Sequence, residues 1–367
     1  MIKVDRYLDT SGSITAFSKE KIIDCHTHVR EVNDIQKLVD VMKEANIDMI
    51  NVACLPVLLD EYVTQNLLGL LFKVQKPGKI FAFGGLEYPN FELPSSEEEF
   101  LKQVEELMVL GFDGIKMIEG KPNARKGIGA PLYSHIYDGF YSYLENKKIP
   151  IIFHVGDPGS FWDAKRAPAF AVKSGWTYLD GTYPKKEELY GEVEELLKRY
   201  PGLNIIFPHF YFMGEEGIER ASRFLNKWPN VSFDITPGIE MYDSFSRNSN
   251  EWREFFIKYQ DRILFGTDND YGDSINIICT MRRFLETEDE FSYWGFDLKG
   301  ICLPKDVLEK IYGGNFIRYT GEVPKDVNVD LLMKKYNEIR KQVENSSFGE
   351  KLIEEMDRIY EGLSDLL

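Results

Sequence analysis

Four of the five histidines stand at the ends of short apolar runs, and two of them, His26 and His28, form a His-X-His pair. The other two are His154 and His209, and an aspartate, Asp268, ends the last run of this kind. Because side chains alternate faces along a strand, His26 and His28 should project to the same side, roughly 7 Å apart, where one ion can bridge them. Imidazole and carboxylate donors without a thiolate suit Zn²⁺, Mn²⁺ or Fe²⁺. The pattern therefore predicts a site for one divalent metal, with zinc as the first choice.

The chemistry of such a site follows from its donors. A catalytic metal site keeps one coordination position open to water. A divalent metal lowers the pKa of that water from 15.7 toward ~7. Asp268 could both ligate the ion and take up the proton, because a general base must lie within hydrogen-bond reach of the proton that it moves. These residues therefore indicate a hydrolytic site with Asp268 as the proton shuttle.

Eight short apolar runs, each bounded by turn residues, divide the chain. They are Ile22–Val29, Ile47–Val57, Ile80–Tyr88, Gly114–Ile118, Pro150–Gly156, Asn204–His209, Val231–Thr236 and Arg262–Thr267. Segments with helical periodicity separate them, and strands that alternate with single helices form parallel sheets. Eight such units predict an α/β fold of the closed (β/α)8 TIM-barrel type. An open doubly wound sheet is disfavoured, because no Gly-rich phosphate turn follows the first run.

The composition argues against several classes of protein. The formal charge of −16 disfavours general binding to nucleic acid or to an anionic membrane, since both require clustered Lys and Arg. No stretch approaches ~20 uninterrupted apolar residues, and the first residues lack the layout of a signal peptide. We therefore expect a cytoplasmic protein. Its four cysteines show no C-x-x-C spacing and are expected as reduced thiols, with Cys25 turned by strand alternation toward the surrounding helices.

No linker divides the chain, so residues 1–367 are predicted to form a single domain. The barrel is expected to occupy residues 20–320. Residues 325–367 are rich in Leu, Ile, Glu and Lys at helical spacing. This pattern predicts a C-terminal helical extension, packed on the barrel or on a second subunit.

The order of the metal-ligand candidates along the strands has a known counterpart. The set consists of His26-Thr27-His28 on the first strand, His154 on the fifth, His209 on the sixth, Asp268 on the eighth and the later segment Gly314-Asn315. It resembles the ligand set of the amidohydrolase superfamily of metal-dependent barrels. The chain looks most like the amidohydrolase-2 branch, which includes relatives of aminocarboxymuconate-semialdehyde decarboxylase. The resemblance implies that His26, His28, His154 and Asp268 bind the metal. It also implies that His209 is either a ligand or a polarising acid beside the substrate.

Lys116, on the fourth strand, is compatible with two versions of this site, one with two metal ions and one with a single ion. In binuclear amidohydrolases a strand-four lysine is carboxylated and bridges two ions. Mononuclear relatives also carry a Gly-Ile-Lys strand, in which the lysine would be a neutralised interior cation or a partner of a substrate carboxylate. A buried lysine needs such a charge partner. The default interpretation is one metal.

Three further polar residues have structural interpretations. Asp24 is expected to face inward on the first predicted strand and Asp234 lies on the seventh, and either could be a buried partner of the metal ligands. His135 lies on a predicted helix and is interpreted as structural, because helices pack outside such a barrel.

The substrate site is predicted from cations and aromatic residues. Arg30, Lys116 and Arg166 put positive charge near the expected site, which suits a small-molecule substrate with a carboxylate. Trp162 and Trp176 lie in the longest interval, after the fifth strand, which in a barrel would extend over the active face. The alternative is that Arg30 and Arg166 are solvated and that the tryptophans only anchor their loop.

Three functions are compatible with the sequence. The first is metal-dependent hydrolysis of a lactone, amide or ester, and the second is non-oxidative decarboxylation of an aromatic or unsaturated carboxylic acid. The third is a non-catalytic metal-binding barrel, which an open site without thiolates disfavours. We expect a homodimer, since symmetric dimers are the commonest assembly of soluble enzymes. The substrate, the native metal and the reaction class stay open.

Overall fold

Eight parallel strands form a barrel in the computed structural model, which describes residues 20–58, 62–89, 92–269, 274–293, 295–345 and 349–364. The strands are β1 Ile23–Thr27, β2 Met49–Ala53, β3 Ile80–Gly85, β4 Gly114–Gly120, β5 Ile151–Val155, β6 Ile205–Phe207, β7 Val231–Asp234 and β8 Ile263–Leu264. Each strand pairs in parallel with the next along the chain. The predicted (β/α)8 barrel is confirmed; seven strands are shorter than the apolar runs that predicted them, and β4 extends two residues beyond its run.

Helices connect the strands within the described ranges. They are α1 Val32–Ala45, α2 Gln65–Gln75, α3 Glu97–Leu110, α4 Pro122–Ile128, α5 Asp138–Lys147, α6 Ala169–Lys173, α7 Lys186–Arg199, α8 Ile218–Lys227, α9 Ile239–Arg247, α10 Ser249–Lys258, α11 Ser274–Glu286, α12 Lys305–Glu309, α13 Asn315–Thr320, α14 Val329–Glu344 and α15 Glu350–Ser364. A small antiparallel hairpin, β9 Glu290–Tyr293 and β10 Phe296–Lys299, follows α11. No described helix has both the length and the apolar character needed to cross a membrane.

The seam between β8 and β1 closes the barrel. The backbone amide of Cys25 donates to the carbonyl of Phe265 at 2.9 Å. The carboxylate of Asp24 accepts bonds from the Thr267 amide at 3.0 Å and from the Thr267 hydroxyl at 2.5 Å. A parallel bridge joins Thr27 to Asn269. The last strand is therefore held to the first by backbone bonds and by one buried carboxylate.

The barrel interior is filled by one side chain or two from each of several strands. The cluster consists of Ile23, Cys25, Met49, Phe81, Phe83, Ile152, Ile206 and Leu264, with Phe316 of α13. The ring of Phe316 lies 5.1 Å from that of Phe81 and 5.9 Å from that of Phe83. Alternation along β5 places Ile152 in this layer and His154 above it. The packed interior thus supports the residues at the carboxyl ends of the strands.

The expectation that Cys25 faces the surrounding helices is wrong. Its side chain packs with Ile23 in the interior cluster. The pairing of β1 with β2 shifts register between Asp24 and Thr27. Such an irregularity breaks the two-residue alternation on which the expectation depended.

The C-terminal helices pack on the outside of the barrel. Helix α14 contacts α2 and α3, and α15 contacts α1 and α2. The carboxylate of Glu355 in α15 accepts a bond from the Val32 amide, and the Tyr336 hydroxyl of α14 donates to the carbonyl of Met356. Gly111, at the end of α3, has a φ of 107° and lies against the segment that precedes α14. A Cβ at this position would lie 2.3 Å from the Asp326 carbonyl oxygen. The single-domain assignment and its boundaries stay predictions.

Glu119, near the end of β4, is a fully buried carboxyl. It accepts hydrogen bonds from the Tyr88 hydroxyl at 2.8 Å and from the Ile118 amide at 2.7 Å. Burial raises the pKa of this carboxyl from 4.5 to about 7. The folded state therefore keeps a proton that the unfolded chain releases at lower pH. The resulting stability is complete below the unfolded pKa and is lost as pH rises through the folded pKa.

We expect this carboxyl to make folding sensitive to pH. Between pH 5.5 and 8 the wild type should lose about 2 kcal/mol more unfolding free energy than Glu119→Gln, in which the side chain stays neutral. Urea unfolding followed by circular dichroism at several pH values measures this difference. The exposed Glu98, in the Glu98→Gln variant, is the control and should follow the wild type. Parallel stability curves for wild type and Glu119→Gln would contradict the prediction.

Candidate metal centre

Polar side chains gather where the carboxyl ends of the strands meet. His26 lies in β1, while His28 and Asp268 follow β1 and β8. In a barrel these ends share one face, so side chains far apart in sequence become neighbours. The ligand atoms of His26, His28 and Asp268 all lie within 4.8 Å of one another, a group that could hold a metal ion.

The partners of the two imidazoles decide which nitrogen carries the proton. Nδ1 of His28 lies 2.7 Å from the carbonyl oxygen of Ala53, which can only accept, so this nitrogen donates. Nδ1 of His26 lies 3.0 Å from Oδ2 of Asp234 and donates in the same way. Burial, followed by the charge of Lys116, lowers the pKa of His26 well below its usual value, which keeps the ring neutral. Each Nε2 is left with a lone pair, as a metal-ligating histidine requires.

These lone pairs face a carboxylate. Nε2 of His28 lies 2.9 Å from Oδ1 of Asp268, and Nε2 of His26 lies 3.6 Å from the same oxygen. Three atoms with acceptor character therefore converge, an arrangement that a cation stabilises. The donors present fit a divalent metal with nitrogen and oxygen ligands.

Asp234 links this cluster to the neighbouring strand. While its Oδ2 accepts from His26, its Oδ1 accepts from the backbone amides of His209 and Thr236, each at 3.0 Å. Of the two aspartates noted in the sequence, Asp234 is the one that bonds the imidazole of His26, whereas Asp24 accepts from the His26 backbone amide at 3.2 Å. Asp24 also fastens the seam of the barrel.

His209 is carried by a left-handed turn. The four residues from His209 to Phe212 have φ values of 55°, 54°, 55° and 50°. This conformation costs about 1–2 kcal/mol per non-glycine residue, so surrounding contacts must hold it. Nε2 of His209 lies 3.8 Å from Oδ2 of Asp268, and the ring stacks on Phe212 with centroids 5.0 Å apart.

The other nitrogen of His209 is buried. Within the described chain, its Nδ1 has no hydrogen-bond partner. Burial lowers the pKa of this imidazole to about 4, so the ring is neutral at neutral pH. A buried unpaired acceptor costs less than a buried unpaired N–H, which places the proton on Nε2.

His154 lines the site but stands apart from the three clustered residues. Its Nε2 lies 3.1 Å from the carbonyl oxygen of Gly156 and 3.5 Å from Oδ1 of Asp157. Its ring is 5.1 Å from that of His209. The structure thus brings together three of the four ligands implied by the sequence and places the fourth beside them.

Lys116 is a cation in direct contact with the cluster. It is fully buried in β4, and its Nζ lies 2.8 Å from Nε2 of His26. Burial lowers the pKa of this amine to about 8. In this arrangement the lysine donates to an imidazole that is also a candidate metal ligand.

An open cavity lies over these residues, with about 1110 Å³ of empty space that is partly open to solvent. Its lining includes His26, His28, Arg30, Leu55, Leu58, Tyr62, Lys116, Ile118, Lys121, His154, Trp176 and Asp268. Three of the five predicted substrate residues, Arg30, Lys116 and Trp176, therefore line this cavity, and their contact with a substrate stays a prediction. Asp268 is the acidic residue among these lining side chains, and three of the others are cationic.

The other two predicted substrate residues are placed elsewhere in the loop after β5. Trp162 packs on Tyr178 with ring centroids 4.7 Å apart and donates from Nε1 to the Pro184 carbonyl at 3.2 Å. Arg166 is 61% exposed and pairs with Glu215 at 3.8 Å. Neither is among the described residues that line the cavity, so Trp162 anchors its loop and Arg166 lies on the surface.

Lys121 is a cavity residue that the sequence analysis missed. Its Nζ lies 4.2 Å from the centre of the Trp176 ring and 3.7 Å from Oδ1 of Asp157. The available signal was its position directly after β4, where a polar side chain reaches the active face, as His28 does after β1. It joins β4 to the loop that carries Trp176.

Comparisons with known proteins agree with this architecture. A family model described as Amidohydrolase matches residues 88–318, a range that begins after the His26 and His28 pair. No curated protein matches the sequence. Among solved structures, an uncharacterized TIM-barrel protein from Bordetella bronchiseptica has a TM-score of 0.52 at 14% identity, with 82% of this chain and 99% of that chain covered.

Two similar structures are decarboxylases. The 5-carboxyvanillate decarboxylase from Sphingomonas paucimobilis has a TM-score of 0.51 at 12% identity, covering 82% of this chain and 98% of that chain. The second is the 5-carboxyvanillate decarboxylase from Novosphingobium aromaticivorans, complexed with manganese and 4-hydroxy-3-methoxy-5-nitrobenzoic acid. It has a TM-score of 0.52 at 12% identity, with 84% of this chain and 99% of that chain covered. Likeness at this level of identity shows the shared fold alone.

Proposed function

The chain belongs to the amidohydrolase family, and we propose that it is a metal-dependent hydrolase of a small molecule with a lactone, amide or ester bond. His26, His28 and Asp268 would hold one divalent metal. One observation carries the proposal: the partners of both Nδ1 atoms leave two Nε2 lone pairs and a carboxylate facing one another beside an open cavity. His154 stays a predicted fourth ligand, with its Nε2 engaged by Gly156 in this structure.

Bound at this cluster, the metal would act as a Lewis acid and lower the pKa of a coordinated water. Zinc is the first candidate, because a mixed nitrogen and oxygen set with an open position is typical of catalytic zinc. Manganese and iron are the alternatives, and manganese is present in the decarboxylase structure from Novosphingobium aromaticivorans.

Two residues would move or direct protons. Asp268 has one oxygen near His28 and the other near His209, and it reaches the cavity, so it can accept a proton there and pass it on. His209, neutral and protonated on Nε2, would donate a hydrogen bond to charge that develops on the substrate. This assigns His209 the role of a polarising donor rather than that of a ligand.

The cavity suggests an anionic substrate. Arg30, Lys116 and Lys121 line it, although the chain as a whole carries a charge of −16. Arginine pairs with carboxylates in a bidentate way, and lysine pairs with them as a point charge. We therefore propose a small carboxylate-bearing substrate with an apolar body against Trp176. The homodimer stays a prediction.

The second candidate function is decarboxylation of an aromatic or unsaturated carboxylic acid. The three lining cations favour it, because they would bind the carboxylate that is lost. The fold is shared with decarboxylases, which is a weaker support, since one barrel fold carries many chemistries.

Metal content tests the proposed centre. Inductively coupled plasma mass spectrometry of protein purified without a histidine tag or a chelator should find about one transition metal per chain. The His26→Ala/His28→Ala variant should lose it, while His135→Ala, at a histidine whose side chain is 86% exposed, should keep it. About two metals per chain would instead support a carboxylated Lys116. No metal after reconstitution would overturn both enzymatic proposals.

Isotope labelling separates the two reactions. Turnover of a panel of lactones, esters, amides and unsaturated carboxylic acids in ¹⁸O-labelled water should place label in the product of a hydrolysis. A decarboxylation should release carbon dioxide and, in D₂O, place deuterium on the carbon that lost it. Deuterium without ¹⁸O would overturn the hydrolase in favour of the decarboxylase.

Asp234 should tune the affinity for the metal. In Asp234→Asn the hydrogen bond to His26 loses its charge, and removal of such a partner commonly lowers metal affinity about 10–100-fold. Titration of the metal-free protein with Zn²⁺ or Mn²⁺ by isothermal calorimetry measures the change. Asp243→Asn, on α9, is the control. An unchanged affinity would show that Asp234 does not act through His26.

A further inference from the structure

The left-handed turn from His209 to Phe212 is built from bulky residues. Consecutive left-handed conformations are rare outside glycine, asparagine and aspartate, and here three aromatic residues adopt them in a row after His209. Such a segment persists only where its surroundings fix it. The contacts that fix it therefore determine where the His209 ring lies.

Two side chains of α7 bind the carbonyl oxygens of this turn. The Tyr190 hydroxyl donates to the carbonyl of Tyr211 at 2.8 Å. The Lys186 ammonium donates to the carbonyl of Phe212 at 3.1 Å and pairs with Glu216 at 2.9 Å. Tyr190 is 5% exposed and Lys186 is 9% exposed, so both bonds are shielded from water. The bonds hold the last two peptide groups of the turn.

Aromatic packing holds the rest of the turn from outside. Phe210 packs against Phe233 and Phe245, with ring centroids about 5 Å apart. Tyr211 stacks on Phe207 at 4.2 Å. With these rings facing outward, the His209 ring faces the site, where it stacks on Phe212. Because Phe212 is the residue whose carbonyl Lys186 holds, movement of that peptide would move the surface on which the His209 ring lies.

We propose that Tyr190 and Lys186 are positioning residues for His209. By holding the carbonyls of Tyr211 and Phe212, they keep the strained turn closed and fix the direction of the imidazole toward Asp268. The consequence for turnover rests on the proposed function, in which His209 donates to the substrate. The consequence for the orientation of the His209 imidazole does not rest on the proposed function.

The test uses the whole metal-loaded protein with ¹⁵N-labelled histidine. Ring-nitrogen resonances are recorded by nuclear magnetic resonance, and His209→Gln assigns the His209 signals. Tyr190→Phe and Lys186→Met should shift or broaden these signals and leave those of the exposed His135 unchanged. Lys186→Arg, which keeps the donor, should restore the wild-type positions.

A matched control separates positioning from general stability. Tyr141, on α5, also has a buried hydroxyl that donates to a backbone carbonyl, that of Leu132 at 3.0 Å, and Tyr141→Phe removes it. This variant should lower the melting temperature without moving the His209 signals. Unchanged His209 signals in Tyr190→Phe, with a loss of stability like that of Tyr141→Phe, would overturn the proposal. Tyr190→Phe alone suffices if Lys186→Met does not fold.

Turnover gives the second measurement. On a substrate found in the panel, Tyr190→Phe should lower kcat about 10-fold and leave KM and metal content close to wild type, because misplacement of a catalytic group affects the reacting state most. Shifted His209 signals with unchanged kcat would retain the positioning role and contradict the role of His209 in the reaction. The two proposals therefore fail in distinguishable ways.

Discussion

Asp268→Asn should lower kcat by about 10³-fold, since removal of a general acid or base commonly costs 10²–10⁴-fold. The amide keeps an oxygen that can ligate a metal, but it cannot accept the proton that the carboxylate is proposed to take. Oδ1 and Oδ2 of Asp268 face His28 and His209 at 2.9 and 3.8 Å. Among the described residues, Asp268 is the carboxylate of the three-residue group that could hold the metal.

The measurement must separate proton transfer from metal binding. Steady-state kinetics on the substrate found in the panel, with metal content measured on the same samples, makes this possible. Asp297→Asn, in the exposed hairpin strand β10, should behave like the wild type. A variant at Asp268 that keeps both its metal and full turnover would rule out the proton-shuttle role.

Phe316→Ala should destabilise the fold by about 3–5 kcal/mol. Phe316 is 1% exposed and packs on Phe81 and Phe83 inside the barrel, so truncation leaves a cavity that the surrounding strands cannot fill. Urea unfolding at a single pH measures the loss.

The matched control is a phenylalanine on the surface. Phe170, in α6, is 44% exposed, and Phe170→Ala should cost less than about 1 kcal/mol. Equal losses for the two variants would show that the interior of the barrel relaxes around the missing ring.

The strands of the barrel were predictable because each is an apolar run between turn residues. Ile151 to Val155 and Ile205 to Phe207 lie inside the predicted runs. Their ends were not predictable. A strand ends where the neighbouring strand no longer offers a backbone hydrogen-bond partner, and this depends on the barrel as a whole. For this reason the sequence did not predict that His209 and Asp268 would lie past the ends of β6 and β8.

The candidate site was predictable where residue type and strand position agree, as for His26, His28 and Asp268. The register shift in β1 carries no comparable signal, so the direction of Cys25 was predicted wrongly. The turn after β6 contains neither glycine nor asparagine, so the residue types at Phe210 and Tyr211 do not predict a left-handed backbone. Its geometry depends on packing contacts that are distant in sequence.

The seam between β8 and β1 has a consequence for biosynthesis. Asp24 and Thr267, which fasten it, are separated by 243 positions in the chain. At a synthesis rate of about 5–20 residues per second, the His26 and His28 pair leaves the ribosome on the order of ten to fifty seconds before Asp268. The cluster is therefore completed only after Asp268 has been synthesised, and a chain truncated anywhere before Asp268 lacks it.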